Sequence, residues 1–303
     1  MTWLKLCCIG WLLSATLASS VFASDKVIIN LPLSKQDPRY DFSHRLLELI
    51  LVQTTEQYGA TKLQHAPTTM TRDRTLQELK RGELVTVVPQ VSLVEWQQQL
   101  IQVNFPLLKG IQGLRVFMVR KDLAPPLKDL SEQQLKQLPT GLLPYWSVYP
   151  LLKNAGFKVV DGSDYQSLFN MLNRGRFDTF SRGINEAYNE LEANHQQYPN
   201  LSIDNSVLIS IPILTVFYVS PNHPRLAERL EQGLLMLEQS GKLNELFYAE
   251  FCPDLMRAGI DKRRVIGINN PNLSVEFLTQ ARQQGRLLDP KLPLDRICQP
   301  FVR

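Results

Sequence analysis

A strong β-strand pattern, LRVFMV at residues 114–119, decides how the rest of the chain divides. It follows a loop that contains Gly110 and Gly113, and its residues are those of a buried strand. On each side of it, short apolar runs alternate with segments of helical spacing. The alternation predicts an α/β protein in which a second series of strands and helices begins near residue 115.

The segment before this strand predicts one parallel sheet. Residues 27–31 and 84–88 have the length and composition of strands, and residues 61–65 are predicted as a weak second strand. Helical spacing at 42–58 and 71–81 separates them. The order strand, helix, strand, helix, strand predicts parallel pairing with right-handed crossovers.

The segment after it predicts a second sheet. Strands are predicted at residues 140–143, 157–160 and 177–180, with an amphipathic helix at 165–175. A later strand at 214–219 precedes two further amphipathic helices.

These helices, at 224–239 and 242–251, end the regular part of the pattern. The tail beyond residue 251 carries prolines, among them Pro271 and Pro290, and is predicted to be irregular.

The order of these segments resembles the type II periplasmic solute-binding proteins of family 3, the amino-acid-binding branch. The stretches that carry the resemblance are NFPLLKG at 104–110 running into GLRVFMVR at 113–120, LFNMLNRGRFD at 168–178, and VFYVS at 216–220. The resemblance implies a two-lobed fold with two hinge crossovers. Lobe 1 would hold residues 24–114 and 216–303, and lobe 2 residues 115–215. Ligand would lie in the cleft at the carboxyl ends of the strands, and binding would close the lobes.

The chain departs from this family where two charges usually hold an amino acid. Glu95 or Trp96 occupies the place of the arginine that grips the carboxylate, and Arg182 and Gly183 lie where an acidic residue is expected. These departures argue against a standard α-amino acid as ligand. Arg182 either offers a cation to an anionic or polar ligand, or pairs with Glu186 one helical turn later.

Other candidate ligand-binding residues follow from their places in the resemblance. Tyr40 and Trp96 are either cleft aromatics that stack on a ligand or half-buried structural residues. Trp146 lies before a helix in lobe 2, where backbone N–H groups favour an anion, although Ser147 is equally an N-cap candidate. Ser92 either donates to a ligand or caps its own turn.

The first 23 residues have the pattern of a secretory signal peptide. Lys5 is the only charge among them, an apolar core follows, and Val21-Phe22-Ala23 resembles a cleavage site. Cleavage after Ala23 would shorten the chain from 303 to 280 residues and, with Lys5 gone, lower the formal net charge from +4 to +3. The expected location is therefore the periplasm.

Two cysteines remain after this cleavage, Cys252 and Cys298. In an oxidising compartment such a pair predicts a disulfide, with two separate buried thiols as the alternative. The disulfide would close a loop of about 45 residues and contribute ~3–4 kcal/mol in the chain-entropy model.

Several functional classes find no support in the sequence. A net charge of +3 gives no argument for nucleic-acid binding, and no second long apolar stretch predicts a membrane span. The four histidines lack metal-binding spacing, and neither a G-x-S-x-G motif nor a P-loop occurs. We therefore predict no enzyme, no cofactor and no metal.

The expected function is that of a monomeric periplasmic protein that captures a small polar metabolite for an ABC permease or a membrane sensor. One alternative is a non-transport interaction protein built on a decayed solute-binding fold. Another is a dehydratase-like enzyme on the same fold, which would need a cleft carboxylic acid of raised pKa.

Overall fold

The computed structural model describes residues 24–31 and 41–302, so the predicted signal peptide lies outside the described residues. The strands are β1 (Val27–Ile29), β2 (Leu63–His65), β3 (Val87–Val91), β4 (Ile101–Gln102), β5 (Leu114–Arg120), β6 (Thr140–Leu142), β7 (Val159–Asp161), β8 (Thr179–Gly183), β9 (Leu201–Ile203), β10 (Val207–Ser210), β11 (Thr215–Val219) and β12 (Arg264–Gly267). The helices are α1 (Asp41–Gln53), α2 (Thr55–Tyr58), α3 (Arg72–Arg81), α4 (Val94–Gln97), α5 (Glu132–Gln137), α6 (Val148–Asn154), α7 (Tyr165–Asn173), α8 (Ile184–Asn194), α9 (Pro224–Gln239), α10 (Lys242–Ala258), α11 (Val275–Gln283) and α12 (Leu294–Cys298).

These strands form two sheets. The first has the order β2-β1-β3-β11-β4, in which β1 runs parallel to β2 and β3 while β11 runs antiparallel to β3 and β4. The second has the order β12-β10-β5-β8-β6-β7, with β9 paired to β5. Its pairs β6–β7 and β6–β8 are parallel, and β5 is antiparallel to its neighbours. The predicted two-lobed α/β architecture is confirmed.

The chain first passes between the sheets at residues 110–114 and returns at 211–215. The backbone N–H of Ile211 donates to the carbonyl of Gly113 at 2.9 Å, so the two crossings lie side by side. A Cβ atom on Gly113 would lie 1.7 Å from the carbonyl oxygen of Ile211. Only glycine permits this approach, because any side chain would push the crossings apart.

Local sequence explains where individual helices begin and end. The side chain of Thr71 accepts from the backbone N–H of Arg74 at the start of α3, and Gly82 ends that helix in the left-handed conformation. Asp164 and Ser167 form a capping box at the start of α7. These signals place α3 and α7 close to the ranges predicted from sequence.

The C-terminal tail is not irregular, contrary to the prediction. It contains β12, α11 and α12, and β12 pairs in parallel with β10 along Val207–Ser210. Residues 264–267 therefore belong to the second sheet, whereas the sequence assigned all of 216–303 to lobe 1. A four-residue run such as RVIG, with two β-branched side chains, is too short for its periodicity to distinguish an edge strand from a loop.

The largest hydrophobic core runs through both lobes. It joins side chains of α1, α9 and α10 in the first lobe to side chains of β5, α7 and α8 in the second. Two smaller clusters cover the remaining faces of the sheets, one in each lobe. The lobes are therefore packed together on the side of α10 and not joined by the crossings alone.

The disulfide Cys252–Cys298 is present, as predicted. It links α10 to α12 with an S–S distance of 2.04 Å across a sequence separation of 46 residues. Both cysteines are fully buried in the shared core.

Candidate ligand-binding cleft

We assign the candidate cleft to the place where the carboxyl ends of strands from both sheets meet the two crossings. In the first sheet β3 ends at Val91, which is opposite Thr215 at the start of β11. In the second sheet β8 ends at Gly183, which is opposite Arg115 near the start of β5. Because both ends lie beside the crossings, the residues that follow them line one interlobe region.

Arg182 sits at the second-lobe side of this region and is bound to two carboxylates. Its Nε donates to Glu190 Oε2 at 2.6 Å, its Nη2 also contacts Glu190 Oε1, and it reaches Glu186 Oε2 at 2.9 Å. The guanidinium carbon lies 4.5 Å from the centroid of the Trp146 ring. Three predicted site residues, Trp146, Arg182 and Glu186, are thus brought together.

This pairing leaves Arg182 without a free charge to offer a ligand. Burial disfavours the charged form, but Glu186 and Glu190 outweigh it and hold the pKa of Arg182 above its ordinary value. Burial also raises the pKa of Glu190, which Arg182 opposes. Of the two interpretations of Arg182, the structure has the pairing with Glu186, in which Arg182 is buried and the Glu186 side chain is 29% exposed.

A second cation, Arg115, lies at the hinge and was not singled out by the sequence. It is 5% exposed; its Nε donates to Ser181 Oγ at 3.1 Å, its Nη2 to the Ser181 carbonyl at 2.9 Å and its Nη1 to the Gln112 carbonyl at 3.2 Å. Among the described residues no carboxylate lies within ion-pair distance of it. Burial lowers the pKa of Arg115 to about 10, against the opposing effect of Glu186.

Two asparagines, each just beyond the carboxyl end of a strand, hold unused hydrogen-bonding capacity. Asn30 follows β1 and is buried, and its Oδ1 has no hydrogen-bond partner within the described residues. The Oδ1 of Asn185, in the first turn of α8, is likewise buried without a partner there. A Cβ on Gly183 would lie 2.8 Å from this atom, so glycine keeps the space beside it open. Buried polar atoms without partners are unusual in folded proteins.

Ser92 and Trp96 lie inside the first lobe. Ser92 is buried; its Oγ donates to Gln102 Oε1 at 3.1 Å and accepts from Gln97 Nε2 at 2.8 Å. Trp96 is 1% exposed and packs edge-on against Tyr218 with ring centroids 5.4 Å apart. Trp96 is therefore a buried structural residue, and the Ser92 hydroxyl is hydrogen-bonded within the protein.

The remaining candidates are Tyr40 and the neighbouring residues Trp146 and Ser147. Tyr40 lies outside the described ranges. Trp146 is half-buried between Arg182 and a stacked Phe180 ring whose centroid lies 6.1 Å away. The side chain of Ser147 makes no capping hydrogen bond at the start of α6.

Comparison with solved structures identifies the fold of this chain. A structure of an ancestral arginine-binding protein bound to arginine matches with a TM-score of 0.51 and 18% identity, over 74% of this chain and 97% of its own. An ancestral amino acid-binding protein, a precursor of cyclohexadienyl dehydratase, matches with a TM-score of 0.51 and 13% identity, over 74% and 94%. The chain has the fold of the amino-acid-binding periplasmic proteins.

A third match with this fold comes from work on glutathione import via GshT and the cystine ABC importer TcyBC of Streptococcus mutans. Its TM-score is 0.50 with 12% identity, over 74% of this chain and 93% of the other. No family model and no curated protein sequence matches the chain. The resemblance predicted from sequence is thus confirmed as a likeness of fold.

Neither a metal-binding cluster nor a membrane-spanning helix occurs in the part of the chain that the structure describes. No group of three or more His, Cys, Asp or Glu side chains there is placed to hold a metal ion. No helix within those ranges has the length and apolarity needed to cross a membrane.

Two histidines meet near the carboxyl edge of the first sheet. His44 on α1 and His65 at the end of β2 have ring centroids 5.5 Å apart. Burial, together with the charge of His65, lowers the pKa of His44 to about 4, although Asp41 opposes this shift. The native state therefore holds His44 neutral across mildly acidic pH.

We expect acid to destabilise the protein through His44. An unfolded histidine takes a proton near pH 6.5, so stability is complete above that pH and falls as the pH drops toward 4. Because His44 is only part-buried, we expect His44→Gln to reduce this loss by about 1–2 kcal/mol. Urea unfolding at pH 7 and pH 4.5 measures the loss of stability in each variant, with the exposed His195→Gln as the matched control. Equal pH dependence in both variants would contradict the assignment.

Proposed function

We propose that the protein is a periplasmic solute-binding protein that holds a small polar solute between its lobes. The observation that carries the proposal is a pair of buried, unpartnered polar atoms, each just beyond the carboxyl end of a strand, one in each lobe. Asn30 and Asn185 each present a buried Oδ1 without a partner in the described part of the chain. Arg115 adds a buried cation that donates to Ser181 and to the Gln112 carbonyl and makes no ion pair in the described part of the chain. A bound solute would satisfy the two Oδ1 atoms, whose burial otherwise costs free energy.

The charges favour a neutral or singly anionic solute over an α-amino acid. Arg182 is neutralised by Glu186 and Glu190, which leaves Arg115 as the positive group beside the crossings. An ammonium group would find Glu186 and Glu190 already engaged with Arg182. Trp146 and Glu186 would border the site. Glu186 is already paired with Arg182 and would offer no separate charge to the solute.

Delivery to a membrane partner belongs to the same proposal. The signal-peptide pattern of residues 1–23 supports export, with maturation after Ala23. The fold is shared with a structure studied for import through an ABC transporter. We therefore propose an ABC permease or a membrane sensor as the recipient of the solute.

The proposal is tested by thermal unfolding of the refolded, ligand-stripped mature protein with amino acids, organic acids, polyamines and sugars. A solute present at about 100 times its Kd should add about 2.7 kcal/mol of stability. We expect a shift with a neutral polar solute or a monoanion. The proposal fails if no member of these classes shifts the midpoint.

Asn185 provides a sharper test of the site itself. We expect Asn185→Ala to weaken binding of any solute that shifts the midpoint by about tenfold, as loss of one hydrogen bond to a buried group predicts. Asn170 is an exposed asparagine on α7, and Asn170→Ala is the matched control. Titration calorimetry measures both, and equal affinities would place the solute elsewhere.

One observation favours the alternative of an interaction protein. Arg182, Ser92 and Trp96 are all engaged inside the protein, which is the arrangement expected of a cleft that has lost its ligand. Under this alternative no solute shifts the midpoint. The protein would instead be recovered with another envelope protein after crosslinking in intact cells.

A further inference from the structure

Helix α10 belongs to both lobes. At its middle, Phe251 packs against Phe42 of α1 with ring centroids 5.2 Å apart, and Glu250 pairs with Arg45 at 2.5 Å. In its last turn, the Arg257 guanidinium lies 5.0 Å from the ring centroid of Tyr188, on α8 of the second lobe. The helix has 17 residues, a length of about 25 Å. It is thus a rod that connects the lobes away from the two crossings.

The chain after α10 is anchored in the second lobe. Strand β12 pairs with β10 at four successive positions. Arg263, which is buried, donates from Nη1 to the carbonyls of Asp204 at 2.6 Å and Val207 at 3.1 Å, and from Nη2 to the hydroxyl of Tyr188 at 3.1 Å. These contacts hold the tail to the edge of the second sheet.

The chain then passes the hinge and is anchored again in the first lobe. Asn270 Nδ2 donates to the carbonyl of Pro212, within the second crossing, at 2.8 Å. The backbone N–H of Leu288 donates to the carbonyl of Lys109, just before the first crossing, at 2.8 Å. Arg286 makes a two-point ion pair with Glu238 of α9, at 2.7 and 2.6 Å, a geometry that fixes the guanidinium plane.

The disulfide closes this path into a ring. Cys252 lies within α10, and Cys298 ends α12, after the tail contacts with the second lobe, the hinge and the first lobe. Between them the chain touches the second lobe, the hinge and the first lobe in turn. Neither end of the segment can therefore leave its lobe without breaking the disulfide or the buried contacts around it.

We propose that α10 and residues 259–298, closed by Cys252–Cys298, form a splint that holds the two lobes at one fixed angle. Rotation about residues 110–114 and 211–215 would require β12 to leave β10, or the contacts of Lys109 and Glu238 with the tail to break. Packed interfaces of this kind have discrete arrangements and do not deform continuously. The cleft is then preset, unlike that of a binding protein that closes on two free crossings. The inference does not depend on whether the cleft binds a solute.

The angle between the lobes can be measured directly in the mature, disulfide-bonded protein. Val52 on α1 is 74% exposed, and Gln133 on α5 is exposed in the other lobe. Both are changed to Cys and labelled with an iodoacetamide nitroxide, since the native cysteines are paired. Double electron–electron resonance then gives the distribution of distances between the lobes. We expect one narrow distribution in the native protein.

The released variant is Cys252→Ser/Cys298→Ser/Arg286→Gln. We expect its distance distribution to widen at least twofold or to gain a second maximum. Arg282→Gln, an exposed arginine on α11, is the matched control and should leave the distribution unchanged. If the triple variant lacks native circular dichroism, Cys252→Ser/Cys298→Ser takes its place.

Two results would overturn the splint. A broad or double distribution in the native protein would show that the lobes are not held at one angle. A folded released variant as narrow as the native protein would show that the tail does not set the angle.

Discussion

Replacing Arg182 by methionine is expected to destabilise the folded protein by about 3–5 kcal/mol, because it leaves a buried carboxylate without its partner. Glu190 receives both the Nε and Nη2 of Arg182, and burial already raises its pKa. Methionine keeps an apolar contact with Trp146, but it carries no charge to pair with Glu190. Chemical denaturation at pH 7 measures the loss.

The pH dependence of this loss distinguishes a charge effect from a packing effect. In the variant, Glu190 can relieve its burial by taking a proton, so its folded pKa exceeds its unfolded pKa. Such a group adds stability at low pH that is lost as the pH rises. The difference between native protein and Arg182→Met should therefore be smaller at pH 5 than at pH 8.

The matched control is Arg174→Met, at an exposed position just after α7 in the same lobe. It should change stability by no more than about 0.5 kcal/mol. Adding Glu190→Gln to Arg182→Met should recover part of the loss, since it removes the unpaired charge. A loss below about 1 kcal/mol for Arg182→Met would mean that the ion pair is solvated and not structural.

Gly113→Ala is expected to cost about 3 kcal/mol or more, because the added Cβ meets backbone that cannot move aside. The Cβ would lie 1.7 Å from the carbonyl oxygen of Ile211 and 3.1 Å from the backbone nitrogen of Ile213. To relieve this overlap, the crossings must separate and lose the hydrogen bond from Ile211 to Gly113. The thermal midpoint and the urea unfolding curve measure the effect.

Gly267→Ala is the control for this substitution. A Cβ on Gly267 in β12 would meet nothing within 4 Å. The same chemical change there should alter stability by no more than about 1 kcal/mol. If both alanine variants were equally stable, the close contact of the two crossings would not exist in solution.

Much of the fold followed from local patterns. The strand at 114–119 and the return strand at 214–219 were predicted almost at their observed bounds, since each is a run of apolar residues buried on both faces. Strands β9 and β10 were not predicted, because the short runs at 201–203 and 207–210 are separated by only a few polar residues. Helix α10 was predicted to end at 251, yet it continues through Pro253 to Ala258.

The site was predicted less completely than the fold. The spacing of Arg182 and Glu186 predicted an ion pair on one helix face. The pair forms, but from the end of strand β8 to the first turn of α8, so the predicted reason was wrong. The participation of Glu190 was not predicted, although it lies one further turn along the same face. Arg115 was overlooked because an arginine inside a strand gives no sign of which groups its side chain will meet.

The sequence by itself determined the alternation of strands and helices and the disulfide, because these depend on residue order, apolar spacing and cysteine number. The two crossings were implied by the family resemblance. Tertiary structure alone decided that Arg182 is neutralised, that Trp96 is a core residue, and that the tail joins both lobes. Those outcomes depend on which groups from distant parts of the chain become neighbours. Burial then makes each such contact strong, because a charge or a polar atom removed from water must be satisfied by whatever the fold places beside it.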